Sequence, residues 1–190
     1  MDIHFSVLSS IYHKEHPFHF NACMESIWDK QTLKPTEIIL VEDGPLTPEL
    51  DKVIAHWQEK LGNILRVKKL DKNVGTGKAK NIGLQECTYD IICIVDTDDI
   101  YVPERFEKQI EFLKHNLDIS IIGGQILEFV EDIHTPTGMR KVPLSNEELK
   151  EYAKKQSPFN NMTITYRKSH ILEVGGYQHH LWMEDYNLFL

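Results

Sequence analysis

"YDIICIVDTDDIYVPERFEKQ" (residues 89–109) decides how the chain is read. Ile91 to Val95 form an unbroken apolar run, which suits a strand covered on both faces. Asp96, Asp98 and Asp99 follow at once, and from Val102 the apolar residues recur at helical spacing. Two unit charges about 4 Å apart, at an effective dielectric of about 20, repel by roughly 4 kcal/mol. Water, protonation or a bound cation would relieve this. In an extended segment residues two apart face the same way. Asp96 and Asp98 are therefore expected to point into one site, with Thr97 turned away. Hard cations such as Mn2+ and Mg2+ favour carboxylate oxygens, commonly one or two of them plus substrate phosphates. The plainer alternative is a solvated acidic turn capping a helix at Pro103.

Working outward, the first half alternates strands and helices. "HFSVLSS" and "TEIILVEDG" read as strands, with the helix "FNACMESIWDKQ" between them. In "PLTPELDKVIAHWQEKLG", Thr47 is an N-cap, Pro48 the first helical residue and Gly62 the stop. "NILRVKKL" is a strand, and "GTGKAKNIGLQEC" is a helix entered through glycines. Such alternation predicts an α/β fold, a mostly parallel central sheet with helices on both faces. Ligands of such sheets sit beyond the carboxyl ends of the strands. That rim would carry Ser9 to Tyr12, Glu42 to Gly44, Asp71 to Gly77, and Asp96 to Asp99. Beyond residue 118 the pattern changes. "ISIIGGQILEFVED" and "NMTITYR" read as strands, "SNEELKEYAKK" as a helix with a Ser145–Glu148 capping box, and "MEDYNLFL" as a helix start. One domain over 1–190 is expected, with halves 1–118 and 119–190.

The 190 residues suffice for a sizeable core. A net charge of −8 argues against a general nucleic-acid binder. No stretch approaches a membrane span, and the N-terminus does not read as a signal peptide. Cys23, Cys87 and Cys93 form no C-x-x-C and read as core residues of a cytoplasmic protein.

Other motifs are weaker. "GTGKAKN" (75–81) fails the Walker A pattern, with Lys72 and Ala79 at key positions, and fails G-x-G-x-x-G at Lys80. It leaves Lys72, Lys78 and Lys80 near a helix N-terminus, which suits anions. Asp43 in "VEDGP" sits at a strand end, placed to accept a hydrogen bond from a base or ribose. A carboxylate of "MEDY" (183–186) has the chemistry of a general base. His13, His16 and His19 are not expected to bind zinc, because Pro17 breaks any helix that would align them. His179 and His180 precede the acidic pair; one of them has the chemistry of a metal ligand or substrate contact, and the plainer reading gives them no role.

Taken in order, "FSVLSSIYHKEHPFHFNACMESIWDKQTLKPTEIILVEDGP", "NVGTGKAKNIGL", "DIICIVDTDDIYVPERFEKQ", "NNMTITYRKSHILEVGGY" and "MEDYNLFL" resemble family 2 glycosyltransferases of the GT-A fold, of the bacterial O-antigen, capsule and exopolysaccharide type. The resemblance implies a Rossmann-like sheet and an inverting transfer from a UDP-sugar. The acceptor would be a saccharide, with a polyprenyl-diphosphate-linked one as the leading candidate. Ser10, Ile11, Tyr12, Asp43, Lys72, Asn73, Lys80 and Asp96 would bind the nucleotide, with Asp43 on the uracil. Asp98 and Asp96 would hold Mn2+ or Mg2+. Asp185 would be the catalytic base with Glu184 beside it, and Gly175, Gly176 and Tyr177 would shape the acceptor side. Family members continue beyond the position of Leu190, so the resemblance also implies a C-terminally shortened chain whose missing part contacts the inner face of the plasma membrane. A non-catalytic nucleotide-sugar-binding module and a sugar nucleotidyltransferase stay open as alternatives.

Overall fold

A computed structural model of the chain describes residues 3–178 and 183–189. Strands β1 (Ser6–Ile11), β2 (Glu37–Glu42), β3 (Leu65–Lys69) and β4 (Ile91–Ile94) are parallel. They are joined by helices α1 (Pro17–Ile27), α2 (Pro48–Leu61) and α3 (Thr76–Glu86). Then follow α4 (Arg105–His115), β5 (Ile121–Ile122), a ribbon of β6 (Ile126–Glu128) and β7 (Gly138–Arg140), and α5 (Asn146–Ala153). The described chain closes with β8 (Thr165–Arg167), α6 (Lys168–Glu173) and α7 (Glu184–Leu188). The main sheet has the order β3-β2-β1-β4-β8-β5, with β8 antiparallel to both neighbours.

Each central strand divides its side chains between two cores, as a period of two requires. Val7, Ile38, Leu40 and Cys93 pack with Phe20, Met24, Ile54, Trp57 and Phe106, on the face covered by α1, α2 and α4. Leu8, Ile39, Val41, Ile92 and Ile94 pack with Ala79, Leu84 and Ile171, on the face covered by α3 and α6. Because both faces are buried, the strands read as continuous apolar runs. Helix α3 lies very close to the sheet: a Cβ on Gly83 would stand 2.4 Å from Leu8 Cδ1 and 2.8 Å from Val41 Cγ2.

The caps of α2 and the Ser145–Glu148 box are as expected. Four local expectations are corrected. Pro17 starts α1 instead of breaking it, with His16 as N-cap, because proline fits the first turn. Helix α4 begins at Arg105 and not at Pro103. The preceding turn is pinned by Val102 O, which accepts from Gln31 Nε2 (2.9 Å), and by Pro103 O, which accepts from Thr32 N (3.0 Å). "NMTITYR" opens as a 3-10 turn over Asn161–Thr163. There the Thr163 hydroxyl donates to Asn160 O at 2.7 Å, a local bond that competes with strand pairing. "ISIIGGQILEFVED" splits at Gly123 and Gly124, where Thr163 Oγ1 accepts the Gly124 N–H at 2.8 Å.

Candidate active site

The carboxyl ends of β1, β2 and β4 share one rim. Ser10 and Ile11 end β1, and the Tyr12 ring beyond them is exposed. Asp43 binds this rim together. Its N–H donates to Ile11 O at 2.8 Å. Its carboxylate accepts from Val74 N at 2.7 Å and from Gly75 N at 3.1 Å, and its carbonyl accepts from Asn73 Nδ2 at 3.2 Å. Gly44 lets the loop come this close: its φ is +86°, and a Cβ there would stand 2.7 Å from Asn73 N. Asp43 is thus buried and engaged by the 73–75 loop that precedes α3, while Lys72 and Asn73 lie on the exposed side.

The acidic segment is a turn and not the extended strand end that the Asp-x-Asp spacing predicts. Asp99 N approaches Asp96 O at 3.4 Å, and the Thr97 hydroxyl is buried, donating to Glu15 Oε2 at 2.5 Å. Tyr101 grips the turn from below. Its hydroxyl accepts from Asp96 N at 2.8 Å and donates to Asp96 O at 3.1 Å. The Cys23 thiol also donates to Asp96 O, at 3.4 Å. Burial, with Asp99, Asp96 and Asp98 adding, pushes that thiol well above its usual range, so it remains a donor. All three cysteines are buried, as expected.

Lys80 is the largest departure from the sequence reading. Expected with Lys72 and Lys78 at an anion-facing helix start, it is instead 2% exposed, and its Nζ lies 3.0 Å from Asp96 Oδ1. Burial alone would lower its pKa. The carboxylate of Asp96, helped by Tyr177 and Asp185, outweighs that and raises it. Asp96, Tyr177 and Asp185 therefore all lie within electrostatic reach of Lys80. Gly175 and Gly176, with φ of +88° and +70°, form the turn that delivers the buried Tyr177. The Tyr177 and Tyr166 hydroxyls influence each other's protonation, yet neither has a hydrogen-bond partner among the described residues. Asp185, on α7, accepts from Tyr186 N at 2.8 Å. Glu184 opens α7; His179 and His180 lie outside the described residues.

Asp98 is exposed, and Asp96 and Asp99 are half-buried. Burial, then the charges of Asp96 and Asp98, push the Asp99 carboxyl up to about 7, against the opposing Arg105 guanidinium. Among the described residues no three His, Cys, Asp or Glu side chains converge into a self-sufficient cation site. The Asp96 and Asp98 carboxylates are of the donor type that a hard cation takes together with phosphate oxygens and water. The fold favours neutral Asp99. Its contribution to stability is therefore full below the ordinary carboxyl value of 3.8 and is lost as pH rises to about 7. Asp99→Asn is expected to gain stability over the parent chain between pH 4 and pH 7 and to gain no more above it, as read by urea denaturation across pH.

Sequence reasoning missed Glu15, Tyr101, Arg105 and Asn81. Arg105 is buried beneath the turn, donating to Ile94 O at 2.7 Å and Ile164 O at 3.2 Å, so it ties β4 to the start of β8. Asn81 bonds twice to the Tyr177 backbone. None of these contacts has a local spacing signal.

A mostly parallel sheet with an antiparallel β8 and this rim is the GT-A architecture expected from the sequence. Residues 17–179 match the family described as "Glycosyl transferase family 2", and the chain belongs to that family. It is 44% identical over 98% of its length to "Amylovoran biosynthesis glycosyltransferase AmsE" of Erwinia amylovora, covering 68% of that protein. It is 38% identical to the Escherichia coli "UDP-Gal:alpha-D-GlcNAc-diphosphoundecaprenol beta-1,3-galactosyltransferase", covering 98% of this chain and 66% of that one. Among solved structures, "Mannosyltransferase PcManGT from Pyrobaculum calidifontis in complex with GDP-Man and Mn2+" superposes with a TM-score of 0.72 at 14% identity, over 97% of this chain and 50% of that one. The chain thus spans about two thirds of these relatives and half of that structure. Among the described residues no helix is long and apolar enough to cross a membrane.

Proposed function

We propose that this chain catalyses an inverting transfer of a sugar from a UDP-sugar, with Mn2+ or Mg2+, to a hydroxyl of a polyprenyl-diphosphate-linked saccharide. The setting is bacterial O-antigen, capsule or exopolysaccharide synthesis, in the cytoplasm at the inner face of the plasma membrane. The observation that carries this is the acidic turn at the end of β4, locked by Tyr101 and by Lys80, which itself lies within electrostatic reach of Asp185. The similarity to the Escherichia coli galactosyltransferase, whose donor is UDP-Gal and whose acceptor is diphosphoundecaprenol-linked, supports a UDP donor and a lipid-linked acceptor. The GDP-mannose complex is far more distant in sequence.

In this reading residues 1–118 take the donor and residues 119–190 face the acceptor. Ser10 to Tyr12, Asp43, Lys72 and Asn73 border the nucleotide. Asp98 and Asp96 would hold the cation, which when bound offsets charge on the departing diphosphate. Lys80 holds the Asp96 carboxylate in place. Asp185 takes the proton of the acceptor hydroxyl, whose oxygen bonds to the anomeric carbon as the carbon–oxygen bond to UDP breaks. One displacement inverts the anomeric centre.

The test is incubation with UDP-galactose, UDP-glucose, UDP-N-acetylglucosamine and GDP-mannose, a short-chain lipid diphosphate saccharide, and Mn2+ or EDTA. The expected result is transfer from one UDP-sugar, lost with EDTA, giving the inverted anomer by NMR. Transfer from GDP-mannose alone, or with retention, contradicts the proposal.

A further inference from the structure

Asn81 follows Lys80 on α3, so the two side chains leave the helix about 100° apart. Lys80 holds Asp96. Asn81 holds a different segment: its Nδ2 donates to Tyr177 O at 2.6 Å, and its Oδ1 accepts from Tyr177 N at 2.8 Å. Both bonds go to the backbone of one residue, which fixes position and orientation together. Gly176 records how close this fit is, since a Cβ there would stand 2.6 Å from Asn81 Oδ1. The Tyr177 ring is buried within electrostatic reach of Lys80 and Asp185, and α7, which carries Asp185, packs on the same helix. Two adjacent residues of one rigid helix thus reach both sides of the site.

We propose that Asn81 is a positioning residue for the transfer. Through its bonds to Tyr177 it sets the place of the Gly175–Tyr177 turn relative to Asp96, and so the alignment of acceptor against donor. This rests on Asp185 as the base. A misplacement of about 1 Å costs on the order of 100-fold in rate, so the effect belongs in kcat. A residue that only braced the fold would lower the amount of folded protein and leave the kcat of that protein alone.

The experiment compares Asn81→Ala, Asn81→Asp and Gly176→Ala with the parent chain and with Asp185→Asn. Asn81→Asp keeps the acceptor and loses the donor; Gly176→Ala disturbs the same contact from the opposite side. UDP affinity with Mn2+ is read by calorimetry, kcat by transfer, and folding by thermal denaturation. The expected result is a fall in kcat of about 10- to 100-fold in Asn81→Ala and Gly176→Ala, at least as large in Asn81→Asp, where a carboxylate oxygen would face Tyr177 O, with UDP affinity unchanged. Unchanged kcat in the folded variants, or UDP affinity falling in step with kcat, overturns the proposal. If Asp185→Asn is inactive while the Asn81 variants keep full kcat, the role of Asn81 fails alone. If Asp185→Asn keeps full kcat, the base assignment fails and the proposal with it.

Discussion

Asp185→Asn is expected to lower kcat by about 100- to 10,000-fold, the range a general base supplies. Asparagine has the same shape, and its oxygen still accepts the Tyr186 N–H that Asp185 accepts at 2.8 Å. What disappears is the ability to take a proton from the acceptor hydroxyl. UDP affinity is expected to hold, because Asp185 borders the cluster through Lys80 and Tyr177 and not through the β1 and β2 strand ends. Transfer assays beside calorimetry separate the two effects. A variant that transfers at the parent rate places the base elsewhere.

Asp96→Ala is expected to cost about 3–5 kcal/mol of folding stability, because it strands a buried charge. Lys80 is 2% exposed and has Asp96 Oδ1 at 3.0 Å. Without that carboxylate, the burial that already works against the ammonium is no longer outweighed. Replacing both partners, as in Asp96→Ala with Lys80→Met, is expected to recover most of the loss, since an apolar pair leaves no charge unpaired. Urea denaturation of the two single variants and the double variant measures this as a cycle. Additive losses would mean that the pair does not act as a unit.

What was legible in the sequence follows from what local pattern encodes. Ile91 to Val95 are apolar without interruption because both faces of β4 are covered, so strand and sheet type could be read directly. The rim was legible because parallel sheets bring successive strand ends together. The shape of the acidic turn was not. It depends on Glu15 gripping Thr97 and on Tyr101 gripping Asp96, contacts that spacing does not announce. The burial of Lys80 was hidden for a related reason. In a stretch rich in glycine and lysine it resembles its solvated neighbours, and only the approach of Asp96 distinguishes it. Asn81 and Tyr177 are 96 residues apart, beyond any helical or strand period. The strand expected from Asn161 begins later because Thr163 turns its hydroxyl back on Asn160.

In the proposed reaction the clustered aspartates hold a cation that receives a nucleoside diphosphate. Calorimetric titration of UDP into the chain, with and without Mn2+, beside Asp98→Asn, tests it most directly. The expected result is binding that needs Mn2+ and is lost in Asp98→Asn while the variant stays folded. UDP binding of equal strength without Mn2+, or unchanged in Asp98→Asn, would contradict it.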